Sequence, residues 1–245
     1  MPRFSLTFLV MLFAIVSGCA TVAEMPSAAL RAQKSVTVVA SFGDTMSLQH
    51  VGTTVFNNVQ STQRVDGWKL SEAAARAGAK IHGDGQVFGQ IFEDDGTLAK
   101  HLADYAPSVN APYWKHGYQG EAVALAAAAC KTDYALFIRP HTTGDYLAGT
   151  NQFIFGYGIF QRGVLGFPNR PSAFANVNVH MVDCAKRART GVQIAYKHTP
   201  FAHELVKERD LQLTPDQVAG AVKEIEVLAE AAIREAFAKL ELLAR

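Results

Sequence analysis

Asp133 to Arg139 (DYALFIR) constrains the fold more than any other stretch. Hydrophobic residues occupy both sets of alternate positions, so the strand they predict is apolar on both faces and needs cover above and below. Ser35 to Ser41 (SVTVVAS) has the same character, with Val36, Val38 and Ala40 on one face and Thr37 and Val39 on the other. Both read as inner strands. Ala173 to Val182 (AFANVNVHMV) alternates instead. Ala173, Ala175, Val177, Val179 and Met181 point one way and Asn176, Asn178 and His180 the other, which predicts an antiparallel strand with one face in the core and one in water. A basic turn over Asp183 to Gly191, holding Lys186, Arg187 and Arg189, leads to Val192 to Lys197 and completes a hairpin.

Helical signals are clearest at the end. Thr214-Pro215-Asp216-Gln217 forms a capping box with proline at the first helical position. From Val218 to Leu240, apolar residues including Ile225, Ala229, Ile233 and Phe237 recur at helical spacing, so one stripe docks on the sheet. Trp68 to Ala79 is a second helix, alanine-rich and capped by Ser71, and Glu121 to Cys130 a third. Met46 to Asn58 reads as an extended pair bending at Gly52, with Asn57-Asn58 as a turn. Gln86 to Phe92 reads as a strand, Leu98 to Tyr105 as a short helix and Pro107 to Gly117 as a loop. The sum is an α/β fold: a mixed, mostly antiparallel sheet packed by helices, with a long carboxy-terminal amphipathic helix. Residues 35–245 are expected to form one domain.

Residues 141–171 read as a long loop rich in glycine and aromatics. Within it Phe153, Phe155 and Tyr157 stand at strand spacing, with Phe160 beyond, among Gly156, Gly158, Gly163 and Gly166. Aromatics give large contact area and glycines permit close backbone approach. One reading is a projecting arm whose Phe153, Phe155, Tyr157 and Phe160 contact a partner; the other is a hairpin folded onto its own core.

The amino terminus gives an address. Arg3 is followed by an almost wholly apolar run from Phe4 to Val16, then by Val16-Ser17-Gly18-Cys19. The run is shorter than the roughly 20 residues a spanning helix needs. This layout resembles the processing site of bacterial lipoprotein precursors. The resemblance implies a signal peptide over residues 1–18, a diacylglyceryl group on Cys19 and a tether over residues 19–34; two acyl chains hold a protein on a bilayer where one does not. Alanine at position 20 implies, again by resemblance, the outer membrane and its periplasmic face. The order of predicted elements is similar to that of the small α/β domain of the Tol-system periplasmic protein and the curli-secretion channel lipoprotein. It also looks like the outer-membrane lipoprotein that activates a penicillin-binding protein.

Cys130 and Cys184 remain as an even pair in what would be an oxidising compartment. Cys130 lies just before one predicted strand and Cys184 just after another. If those strands are antiparallel neighbours, the two thiols meet at one end of the sheet; otherwise they are separate buried thiols. A soft-metal site of His180, Met181, Cys184 and Cys130 is disfavoured because successive strand residues point to opposite faces. No metal or cofactor is expected.

Lys and Arg number 23 against 22 Asp and Glu, and loss of Arg3 with the leader makes the charge formally balanced. Nothing in that balance argues for nucleic acid. Asp44, His50, His82, Asp84 and His101, with Ser41 or Ser47, invite a hydrolase reading, yet no sequence pattern of a known catalytic loop surrounds them. The expected function is therefore a non-catalytic outer-membrane lipoprotein that binds or scaffolds an envelope component, or itself, through the aromatic-glycine segment. A hydrolase of an envelope substrate and a subunit of an export assembly are the alternatives.

Overall fold

The inner-strand segments lie side by side. The structure, a computed structural model, describes residues 36–54, 57–82, 89–92, 130–164, 167–168, 170–203, 205–207, 211–240 and 242. In chain order the elements are β1 (Val36–Ala40), β2 (Thr45–Val51), β3 (Val59–Arg64), α1 (Leu70–His82), β4 (Gly89–Phe92), β5 (Tyr134–Pro140), β6 (Thr142–Gly144), β7 (Phe153–Phe155), β8 (Tyr157–Val164), β9 (Phe167–Pro168), β10 (Ser172–Asp183), β11 (Ala188–Pro200), β12 (Val206–Lys207), β13 (Leu211–Gln212) and α2 (Pro215–Lys239). The main sheet is mixed. β1 is parallel to β4 and β5 and β2 to β8, while the pairings of β10 with β5, β8 and β11, of β2 with β3 and of β8 with β9 are antiparallel.

The registers reveal a simpler plan. β11 runs along the whole of β10. On its other side β10 pairs first with β8, through Ser172 to Ala175, and then with β5, through Val177 to Asp183. β5 and β8 therefore lie end to end, as one line of backbone broken at residues 141–156. β1 and β2 form a second such line beside it, since β1 pairs with β5 and β2 with β8, both in parallel. Asn176 sits at the break: its N–H donates to Gly156 O (2.8 Å) and its C=O accepts from His141 N (2.9 Å), while Gly156 N donates to His141 O (3.1 Å). Gly156 makes this corner at φ 60°. Two residues on, Gly158 lies so close to β2 that a Cβ would stand 1.8 Å from Ser47 O, so no side chain fits there.

Both described helices pack on one face, over a core that includes Val36, Val38, Leu48, Leu136, Ile138, Ile159, Val177, Val179 and Met181 from the strands. From α2 the buried stripe is Ala221, Ile225, Leu228, Ala229, Ala232, Ile233, Ala236 and Phe237. The capping box at Thr214 and Gln217 forms, with Pro215 in the first turn. Fully burying each leucine- or phenylalanine-sized side chain contributes about 1.5–3 kcal/mol, so this stripe holds the helix down. Lys197 and Lys239 flank Glu235 at 2.5 and 2.6 Å and tie β11 to α2. No helix among the described residues is long and apolar enough to cross a membrane.

Three local expectations need correction. The hairpin at Met46 has its second arm at Val59–Arg64, beyond the predicted turn, because β3 is polar and alternates with no apolar face to mark it. Its Ser61 and Gln63 side chains grip the segment before α2: Ser61 Oγ donates to Leu211 O, and Gln63 exchanges two bonds with the backbone of Leu213. Ser71 is inside α1, not its cap; its hydroxyl accepts from Phe42 N (2.8 Å) and donates to Phe42 O (2.7 Å), locking the helix start to the gap between β1 and β2. Residues 141–171 are mostly strand. The predicted elements at residues 98–105, 107–117 and 121–129, like the leader and tether, lie outside the described residues.

Candidate binding surface

The break between β5 and β8 extrudes a hairpin. β6 and β7 pair antiparallel, Thr142 with Phe155 and Gly144 with Phe153, so side chains alternate between an inner and an outer side. Ile154 points in and is fully buried with Val51, Phe160 and Phe174 on the second face of the sheet, against Tyr146, Leu147 and Ala148 of the hairpin loop. The hairpin is thus a third layer, opposite the helices.

Asp145 sets the loop. Its Oδ1 accepts from Leu147 N (2.9 Å) and Ala148 N (2.8 Å), and its Oδ2 from Thr150 N (3.1 Å) and Thr150 Oγ1 (2.5 Å). Asp145 N donates to Gln152 O (2.9 Å), and Arg162 reaches over from β8 to Ala148 O (2.9 Å). Gln49 Nε2 holds Phe153 O (3.0 Å). Hydrogen bonds to an ionised carboxylate are worth roughly 1.5–3 kcal/mol each, so this loop is organised before anything binds it.

The four aromatics of this segment separate. Phe153 is 62% exposed on the outer side, and Phe155, on the same side, is half-buried. Tyr157 and Phe160 are buried, at 5% and 4% exposure, which corrects the expectation that they offer a contact surface. The reason is the corner at Gly156: it ends the hairpin and returns the chain to the sheet, so Tyr157 belongs to β8 and the strand spacing of the sequence does not run through. Tyr157 packs on Phe42 and Trp68 and donates its hydroxyl to Gly43 O (2.7 Å), on the helix-bearing face. Burial raises its phenol pKa above the ordinary range.

The polar row of β10 is also not where the alternation placed it. Asn176, Asn178 and His180 share one face as expected, but all three are buried. Tyr146 of the hairpin loop closes over the first, donating to Asn176 Oδ1 (2.6 Å) and stacking on Tyr196 of β11 at 5.0 Å between ring centroids. The cross-strand registers set Arg139 beside Asn178 and Phe137 beside His180. Neither ring nitrogen of His180 has a hydrogen-bond partner, nor do Asn176 Nδ2 and Asn178 Oδ1. Burial, then the nearby Arg139, lowers the His180 pKa to about 3 and that of His141 to about 4, so both rings are neutral at pH 7. A buried imidazole held neutral and without an orienting hydrogen bond, as His180 is, is poorly placed as a general base.

Asp44 pairs with Arg64 at 2.9 Å near the surface. Ser47 is buried on β2, and Asp84, His101 and the side chain of His82 lie outside the described residues. Cys130 and Cys184 are joined by a disulfide, Cα–Cα 5.7 Å, at the end of the sheet where β5 begins and β10 ends. Among the described residues no three His, Cys, Asp or Glu side chains group as metal ligands. The feature that sequence reasoning missed is Asp145; an aspartate followed at the fifth position by threonine in a glycine-flanked stretch is the only sign of it.

No protein-family model matches the chain, and no curated protein matches it. Among solved structures it is similar to protein XCC0632 from Xanthomonas campestris, described as family DUF330, at 9% identity and TM-score 0.42, covering 85% of this chain and 83% of that one. It is similar to a PelC dodecamer from Paraburkholderia phytofirmans at 9% identity and TM-score 0.36, over 91% and 95% of the two chains. The hypothetical protein CT253 from Chlamydia trachomatis is similar at 14% identity and TM-score 0.34, over 84% and 96%.

Proposed function

We propose that this chain is an outer-membrane lipoprotein, moored through Cys19 and facing the periplasm, whose α/β body binds an envelope component without catalysing a reaction. The contact is the outer side of the β6–β7 hairpin, centred on Phe153 and flanked by Phe155. The observation that carries the reading is the exposure of Phe153 at the start of β7, beside a loop that Asp145 already holds in shape. A large aromatic on a preorganised support loses little conformational freedom on binding, and such residues dominate interface energetics. The mooring is supported by Val16-Ser17-Gly18-Cys19 after the apolar run from Phe4. Of the residues the sequence offered for hydrolysis, Asp44 is paired with Arg64 and Ser47 is buried on β2.

The test places a photo-crosslinking residue at position 153 in intact envelopes, with position 227 on the exposed side of α2 as the control. A discrete adduct from 153 that is absent from 227 is the expected result. Equal capture at both, or none at 153 while the protein is abundant, overturns the contact. For the mooring, Cys19→Ser is expected to move the protein from the membrane pellet to the soluble fraction. A serine variant that stays pelleted, with no acyl mass on the natural chain, removes it.

A further inference from the structure

The start of β1 and the basic turn between β10 and β11 fall at one end of the sheet. β1 starts at Val36, and Thr37 is pinned to the segment before β5: Thr37 N donates to Thr132 Oγ1 (2.9 Å) and Lys131 N to Thr37 Oγ1 (3.4 Å). β10 ends at the same place, with Asp183 opposite Tyr134 and Cys184 N donating to Asp133 O (2.9 Å). The disulfide fastens the two. The β10–β11 turn therefore stands beside the entry of the tether. Lys131, Lys186, Arg187 and Arg189 gather there against Asp133 and Asp183, a formal surplus of two positive charges among the described residues. Asp183 is nearly buried and accepts from Lys186 N (2.9 Å), with Lys186 Nζ 3.0 Å from its other oxygen, so the acid lies beneath and the amine is outermost. Arg187 is exposed at the tip of the turn.

We propose that this end of the sheet rests on an anionic phospholipid surface, which holds the lipid-anchored protein upright with the β1–β2 line pointing away from the bilayer. The inference rests on the anchor at Cys19. Sixteen residues separate Cys19 from Val36. Fully extended they reach about 60 Å, so the anchor alone leaves orientation free. Each basic residue near an anionic leaflet contributes about 1 kcal/mol, too little to recruit a free protein. An anchored protein needs no recruitment. Its effective concentration at the surface is already about millimolar, and two net charges then suffice to select one orientation.

The full lipidated chain, purified and reconstituted, separates these possibilities by hydrogen exchange. In vesicles of about 30% phosphatidylglycerol, amides of residues 131–133 and 184–187 are expected to exchange at least threefold more slowly than in purely zwitterionic vesicles. Amides of residues 52–54, at the opposite end, are expected not to change. About 0.5 M salt, or Lys186→Gln with Arg187→Gln, is expected to abolish the difference, because surface charges are screened within a few ångströms at high ionic strength. Acylation of Cys19 with equal exchange in the two vesicles overturns the resting surface and leaves the anchor standing. An unacylated Cys19 overturns both. Slowing by an added acidic protein and not by the anionic lipid also overturns the proposal, in favour of a protein partner.

Discussion

His180 shows what burial does to one residue. Both ring nitrogens lack partners, and a buried polar group left unsatisfied costs about 1–3 kcal/mol. Burial chiefly, with Arg139 second, lowers its pKa from 6.5 to about 3. The folded state therefore binds fewer protons than the unfolded one between these values. The protein keeps its full stability above pH 6.5 and loses it as the pH falls, by about 3 kcal/mol at pH 4 from this ring alone. His180→Phe, which removes both ring nitrogens beside Phe137, is expected to remove that part of the acid sensitivity. Denaturant unfolding of both proteins at pH 7 and pH 4.5 checks this; an unchanged pH dependence in the variant shows that His180 is not the group responsible. The alternation Asn176, Asn178, His180 was legible as one face of a strand. Its burial was not, because polarity in sequence reports the chemistry of a face and not what lies over it.

At the scale of elements, the β6–β7 hairpin depends on Asp145. Asp145→Ala withdraws four hydrogen bonds at once, and amides of residues 147, 148 and 150 are expected to exchange about 10–100-fold faster. Amides of β5 and β10 are expected to keep their protection, since their ladders do not pass through the loop. Loss of protection across β10 as well would show the hairpin to be part of the main cooperative unit. Elements whose apolar pattern faces the helices were readable in advance: β1, β5, the core face of β10 and α2 all lie where periodicity put them. β3 was not, because its buried work is done by polar side chains, Ser61 and Gln63, gripping backbone 150 residues away in sequence. Nor was β8, whose strand spacing is interrupted by the corner at Gly156 and whose glycines imitate a loop.

At the scale of the whole molecule, the bond between Cys130 and Cys184 closes a loop spanning 54 residues and fixes the start of β5 to the end of β10. By the chain-entropy model such a closure is worth about 4 kcal/mol. Reduction is expected to lower the midpoint of thermal unfolding by roughly 8–15 °C for a domain of this size. A Cys130→Ser, Cys184→Ser double variant is expected to match the reduced protein with no further response to reductant. Calorimetry of the four samples checks this; a double variant as stable as the oxidised protein would show the closure to be energetically idle. Both thiols were legible as a pair in sequence, but their meeting depended on β5 and β10 being neighbours, which only the register supplies.

The line formed by β5 and β8 is interrupted, yet its two halves keep one continuous alignment along β10, and the ends of the gap are already bridged from Gly156 to His141. Such an arrangement lets the chain carry cargo of variable length at that point while every flanking strand stays where it was. The tip between β6 and β7 can then change in length without shifting the register of any flanking strand, provided Ile154 and Tyr146, which cover Phe160, Phe174 and Asn176, are kept or replaced in kind.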